Sequence, residues 1–447
     1  MDWIRIVLIG AVGAGLVACG SDGGNSLASV PGPAEEVPVA SQPIDSRQPE
    51  PTPPLTPESP GADGELDPEA PQVEAEVPPL GDSPIPDLTA AFPGLEGLPG
   101  SAHPADPLSG SLLEAFPLNL IVSGGVPKDG IPALTNPSFV GAARANYLQP
   151  GDLVLGMVVN GQAKAYPHNI GWWHEIINDR VGGHPVCVTF CPLTGTGLVY
   201  DGLASNGRQF ELGVSGLLYN NNLIMYDRRD GRTLYPQIFS TAVEGPRQGE
   251  SLTLLPVVET TWDTWRRLYP ETQVVSGNTG FSRNYEVYPY SDYRVNHQYL
   301  IFGLEPALRQ NPNDFARFYD SKDMVLGVRL NGDPKAYPFA ALGDRQLVHD
   351  QVGDVDIVVV WDQAAQLAIP FAREVDGQVL DFDIDAEQGF PFSLIDRQTG
   401  SRWSSTGAAV EGPLAGHQLV QIPAHNSFWF AWVTFWQDTD LWLGQEG

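Results

Sequence analysis

The chain repeats itself. Residues 152–167 read DLVLGMVVNGQAKAYP, and residues 323–338 read DMVLGVRLNGDPKAYP, 171 residues on and without a gap. The match continues through IINDRVGG and LVHDQVGD, so Asp179 answers to Asp350 and Gly182 to Gly353. MYDRRDG then matches LIDRQTG at an offset of 169, and GESLTLLPVVETTWDTW matches GHQLVQIPAHNSFWFAW at 167. There Pro256 pairs with Pro423, Trp262 with Trp429 and Trp265 with Trp432. Small, smooth changes of offset over so much sequence are what a duplicated unit leaves behind. The expectation is two copies of one β-rich unit, a first repeat over 140–290 and a second, degenerate repeat over 310–440, related by an approximate two-fold.

Each copy reads as mostly β. Alternating apolar residues flank Asn160-Gly161, a dipeptide suited to a type I′ hairpin turn. HPVCVTF, GLVYD, RQFELGV and NLIMYDR read as strands, and HNIGWWHEIIND as a short helix or irregular turn. TTWDTWRRLY reads as a helix over 260–269, capped by Thr260 or Thr261, with Trp262, Trp265 and Tyr269 on one packed face. The fold class expected is α+β, predominantly β.

The two ends of the chain differ sharply in character. Arg5 precedes an apolar run from Ile6 to Val17, too short for a comfortable span and suited to a secretory h-region. LVAC follows and resembles the lipobox of bacterial lipoproteins, with Cys19 as the lipidated residue. Residues 1–19 therefore read as a lipoprotein signal peptide. Between 20 and 110 lie 20 of the 41 prolines and 16 acidic residues against one basic residue, Arg47. Such a stretch cannot bury enough apolar surface to offset the entropy of ordering, so it reads as a disordered, extended tether. It carries about half of the net charge of −30. That acidity argues against a nucleic-acid partner. The expected location is extracytoplasmic, at the bacterial cell envelope, with the membrane as partner through the lipid anchor.

Beyond Cys19 the chain has two cysteines, Cys187 and Cys191. Four residues apart on a strand, their Cα atoms would lie about 13 Å apart. A disulfide needs less than about 7 Å. The repeat supplies a control for both. Cys187 faces Val358, which implies a small apolar slot. Cys191 faces Asp362, His174 faces Arg345, His168 faces Phe339 and Thr194 faces Ala365. Tyr219, Asn220 and Asn222 face Gln388, Gly389 and Pro391. The polar and reactive group is confined to the first repeat.

NIGWWHEIINDRVGGHPVCVTFCPLTGTGLVYD and FELGVSGLLYNNNLIMYDR resemble the domain-of-unknown-function family 3179 of bacterial and archaeal proteins. The resemblance extends through NTGFSRNYEVYPYSDY and the second AYP motif. It carries the family pattern onto His174, Glu175, Cys191, Gly195, Ser215, Tyr219, Asn220 and Asn222. The family usually places a second cysteine where this chain has Thr194, which removes a dithiol mechanism. The family name assigns no activity.

Three readings of Cys191 stay open. A strand–CPLxG–strand knuckle presents sulfur to an ion. Cys191 with His174 and His168, and His184 behind them, would suit copper or zinc. That reading comes first. A monothiol redox or nucleophilic enzyme is the second: Cys191 attacks, Thr194 replaces the resolving thiol, and His174 is the candidate partner. The third is a non-catalytic surface binding or scaffolding module, in which Ser215, Tyr219, Asn220 and Asn222 line a ligand pocket or form a turn. Asp381, Asp383 and Asp385 fall on one strand face and read as a solvated edge before a calcium site.

Overall fold

The computed structural model describes Phe92, Gly94 and residues 116–204, 207–304 and 318–444. Cys19 and nearly all of the Pro-rich segment lie outside the described residues. Among the described residues no helix is long and apolar enough to cross a membrane.

The described chain is predominantly β, with short helices between strands. Its two halves run through the same elements in the same order. The first half opens on a hairpin, Leu153–Val159 against Gln162–Pro167. Asn160 and Gly161 close it with φ of 49° and 75°, the double left-handed geometry of a type I′ turn. Helix α1, His168–His174, leads into a meander of Ile176–Val181, His184–Cys191 and Thr196–Asp201. A second small sheet holds Leu212–Tyr219 and Asn222–Asp227. The return strand Val258–Thr261 then pairs antiparallel with the opening strand, and α2, Trp262–Leu268, follows. The second half repeats this with Met324–Leu330, Asp333–Pro338, α3 (Phe339–Leu342) and the meander Arg345–Val352, Val355–Asp362 and Leu367–Ala372. Its return strand is Ala424–Phe428 and its closing helix α4, Trp429–Phe435.

Helix α2 is shorter than the expected 260–269. Thr261 is its cap, and its hydroxyl accepts the Thr264 N–H. Trp265 lies over Gly156, where an added Cβ would come within 2.3 Å of the indole, and Trp432 lies over Gly327, within 2.0 Å. Each indole N–H is satisfied by a threonine seven residues on, Thr272 and Thr439. Tyr166 and Lys164 converge on Asp179, and Tyr337 and Lys335 on Asp350.

One core cluster spans both halves, with Leu155, Val159, Val186 and Val188 packed together with Leu326, Leu330, Ile357 and Val359. The return strands cross between the halves. The Thr261 N–H and the Thr260 hydroxyl donate to the Ala365 carbonyl at 3.2 and 2.6 Å. The Phe428 N–H donates to the Thr194 carbonyl at 2.8 Å. Each half therefore braces the meander turn of the other.

Candidate functional site

Cys191 ends a strand whose eight residues are all buried. It pairs with Thr196 across the hairpin, and Pro192, Leu193, Thr194 and Gly195 make the connection. Gly195 takes φ of 63°, and a Cβ there would lie 3.0 Å from the Phe428 ring. The second half thus closes directly on the turn that carries the cysteine.

The sulfur sits among hydrogen-bond donors. The Thr194 hydroxyl and the Leu223 N–H favour its anion, as does the Thr194 N–H, which at rest donates to the Cys191 carbonyl at 3.3 Å. The Thr194 hydroxyl is itself oriented: its oxygen accepts from Asn222 Nδ2 at 3.1 Å, which leaves its proton for the sulfur. Asn222 is fixed in turn by Gln237 Oε1 at 2.8 Å and by the Ile238 N–H at 3.1 Å. Cys191, Thr194 and Asn222 therefore form one string. Against these donors stand burial, the larger effect, and the nearby charge of Glu175, which together push the thiol up to about 11. The resting thiol is protonated, and Sγ lies 3.5 Å from the Asn221 carbonyl.

Glu175, not His174, is the ionisable group whose charge bears on the sulfur. It ends α1 with φ of 56°, a left-handed conformation unusual for a residue other than glycine. That twist turns its carboxyl inward, where burial pushes its pKa up to about 8. Tyr288, Tyr290 and Tyr293 close the site from a segment C-terminal to the return strand. The Tyr288 hydroxyl donates to the Pro192 carbonyl at 3.1 Å, and that of Tyr293 to the Leu193 carbonyl at 3.0 Å. Tyr290 is held protonated by burial and by the adjoining Glu175 and Cys191. The segment leaves Cys191 1% exposed.

The histidines point elsewhere. His174 Nδ1 donates to the Pro132 carbonyl at 2.8 Å, so Nε2 accepts from the Tyr285 hydroxyl at 2.7 Å. Both ring nitrogens are engaged, and burial lowers the ring's pKa to about 4. His168 stacks on Phe190 at 4.2 Å and faces the buried Glu259 across 3.7 Å. His184 pairs with Asp201 at 2.8 Å. The structure does not gather Cys191, His174 and His168 into one ligand set. Among the described residues the ligand atoms of His297, Asp320 and Asp323 do converge, within 4.8 Å of one another. There the Lys322 N–H already occupies His297 Nδ1, leaving the neutral ring's proton on Nε2.

Of the residues taken from the loop, Asn222 alone joins the string. Ser215 bonds the Ile224 carbonyl at 2.5 Å beside a β-bulge, a structural role. The Tyr219 ring packs on Phe116, Phe239 and Phe435. Asn220 and Asn221 form a tight turn with φ of 48° and 65°. Asn221 exchanges two hydrogen bonds with the Phe302 backbone, which ties the tyrosine segment down. Cys187 is buried, bonded to Asn178 Oδ1 and held protonated by burial, as the Val358 counterpart implied. Both cysteines are free thiols. The acidic ladder carries arginines: Asp381 holds Arg373, Asp383 holds Arg397 and Asp385 holds Arg402.

The family described as "protein of unknown function (DUF3179)" matches residues 128–439, a span that includes the hairpins, the thiol turn and the tyrosine segment. The chain belongs to this family. No curated protein and no solved structure matches it.

The second half of this DUF3179 chain shows what the turn does with an anion. Asp362 stands where Cys191 does. Its carboxylate accepts the Ala365 N–H at 2.9 Å, the counterpart of the Thr194 N–H, and is neutralised by Arg345 at 2.7 Å. The turn is thus an anion-holding turn in one half, and the other half puts sulfur in it. Sequence comparison named Cys191, Thr194 and Asn222. It missed the tyrosines, although YEVYPYSDY stood in the quoted resemblance.

Proposed function

We propose that Cys191 is a monothiol nucleophile, with Glu175 as its proton partner. The observation that carries this reading is the set of donors on the sulfur, in a turn that binds a carboxylate in the second half. Donors aimed at sulfur favour the thiolate, the attacking species. Cys191 and Glu175 titrate as a coupled pair. Once the pair has lost one proton, the other rests on sulfur, and the donors lower the cost of passing it to Glu175.

The reaction class is thiol–disulfide exchange. The Cys191 proton passes to the Glu175 carboxylate, and the sulfur attacks one sulfur of a substrate disulfide. The disulfide bond breaks, a mixed disulfide forms on Cys191, and the departing thiolate takes the proton from Glu175. With Thr194 in place of a resolving cysteine, a second external thiol releases the enzyme. Mass-spectrometric mapping of Cys191 alkylation against pH tests this. Reactivity should rise with a midpoint near pH 8, where Glu175 ionises. A Cys191 that stays inert up to the pH of unfolding would overturn it. Near-stoichiometric copper or zinc that is lost on Cys191→Ala would replace it with a metal centre.

The sequence motif LVAC supports the companion proposal of a cell-envelope lipoprotein, held outside the cytoplasm through a lipidated Cys19. Lipid labelling should vanish in Cys19→Ser. Persistent labelling would sink the anchor.

A further inference from the structure

The segment that closes the thiol site sets two arginines, Arg283 and Arg294, beside Glu286 and Asp292, in a chain that is acidic as a whole. Lysine and arginine number 24 against 54 aspartate and glutamate residues. Many guanidinium groups hold carboxylates, among them Arg208 on Asp227, Arg228 on Glu211, Arg345 on Asp362 and Arg373 on Asp381. Arg283 and Arg294 do not, and they differ from Arg144, Arg180, Arg229 and Arg232, which also hold none among the described residues, in where they lie. Both are exposed, both lie on the segment that closes over Cys191, and neither has a carboxylate at ion-pair distance among the described residues.

Aromatic rings hold them in place. The Arg294 guanidinium lies 5.2 Å from the Trp172 ring centre and 5.0 Å from that of Tyr288. The Arg283 guanidinium lies 5.8 Å from Trp173, whose indole N–H donates to the Val287 carbonyl at 3.3 Å. Tyr288 in turn bonds the Pro192 carbonyl of the thiol turn. Burial holds the His174 and His168 rings neutral, and the nearby charges of Arg283 and Arg294 act in the same direction. Guanidinium groups stacked on rings keep their outward N–H donors for a planar anion.

We infer that Arg283 and Arg294, set on Trp172, Trp173 and Tyr288, recognise a carboxylate-bearing substrate and bring it to Cys191. This rests on the thiol reading and names its substrate class as an anionic disulfide. Unpaired cations at the mouth of a site raise the local concentration of anions against the repulsion of the rest of the chain.

The test compares two aromatic disulfides on the full chain, with Cys191 modification read by peptide mass spectrometry. One is the dianionic 5,5′-dithiobis(2-nitrobenzoate), the other the neutral 4,4′-dithiodipyridine. In each reaction Cys191 forms a mixed disulfide and one aromatic thiol leaves. Arg283→Gln with Arg294→Gln should slow the anionic reagent by about tenfold or more and leave the neutral one unchanged. Arg283→Lys with Arg294→Lys should recover most of the rate, and added salt should erode the advantage in the parent chain. An unchanged ratio of the two rates in the glutamine variant overturns this inference alone. Failure of both reagents at Cys191 overturns the thiol reading beneath it.

Discussion

The backbone N–H of Phe428 donates to the carbonyl of Thr194, so a strand of the second half fixes the turn that holds the thiol of the first. The same exchange runs the other way, from Thr261 to Ala365. The arrangement explains why a half without the thiol remains part of the site. Its return strand sets the height of the turn, and the Phe428 ring fills the space that Gly195 leaves open. Glu259 and Asn426 occupy equivalent places on the two return strands, and the Asn426 side chain partly offsets the burial that raises the Glu259 pKa.

Phe428→Ala should cost about 3–5 kcal/mol of stability, the usual range for removing a buried phenylalanine ring. It should also speed alkylation of Cys191 under native conditions, because Gly195 loses its cover. Urea denaturation and timed labelling measure the two effects separately. A destabilised variant with unchanged Cys191 labelling would mean that the second half does not position the turn.

Thr194→Val removes the hydroxyl that donates to Cys191 and keeps the shape of the side chain. A hydrogen bond to a charged group is worth about 1.5–3 kcal/mol, or roughly one to two pKa units. The thiol should therefore titrate higher by that amount, while Thr194→Ser restores it. Asn222→Leu should act in the same direction and more weakly, since it frees the hydroxyl to turn away. The pH profile of iodoacetamide labelling at Cys191 reads all three variants.

Much of the architecture was legible because its signals are local. Asn160-Gly161 dictates a type I′ turn, Thr261 caps α2, and the spacing of Trp262 and Trp265 sets its packed face. The comparison of halves separated Cys187 from Cys191, because a valine at the counterpart position reports an apolar slot and an aspartate reports an anion. His174 and Glu175 part company for a conformational reason. Alternation along an extended chain assigns opposite faces to neighbours, but Glu175 sits at a helix end in the left-handed region, which turns its carboxyl inward. The tyrosines lie about a hundred residues from Cys191, and no local pattern ties a distant segment to the turn it covers.

Gly327→Ala should destabilise the fold strongly. A Cβ would come within 2.0 Å of Trp432, whose indole is anchored by Thr439 at 2.8 Å and cannot retreat cheaply. Overpacking of this kind costs about 1–3 kcal/mol or more. Gly161→Ala, where no atom lies within 4 Å, tests the alternative cost of a left-handed backbone alone. Thermal unfolding should rank the Gly327 variant below the Gly161 variant. The reverse order would contradict the close tryptophan contact.

Glu175 and Glu259 each contribute a loss of stability as pH rises, opposed up to pH 6.5 by the buried His168, His174 and His425 rings. Burial lifts each carboxyl from 4.5 to about 8. Between those values the native state keeps a proton that the unfolded chain has released, so each unit of pH favours unfolding. The loss begins near pH 4.5, is complete just above pH 8, and levels off beyond. Glu175→Gln keeps the neutral shape and removes the titration, so the variant should match the parent near pH 4.5 and exceed it near pH 9. Glu259→Gln should behave alike, and the two effects should add if the sites are independent. Urea midpoints measured from pH 4.5 to 9 decide this. A gap between the parent and each glutamine variant that does not widen from pH 4.5 to 9 would show that the carboxyl finds charge compensation that its surroundings, as described, do not supply. The Glu175 variant carries a second readout: with the neighbouring charge gone, the Cys191 thiol should titrate lower than in the parent, the opposite of the Thr194→Val effect.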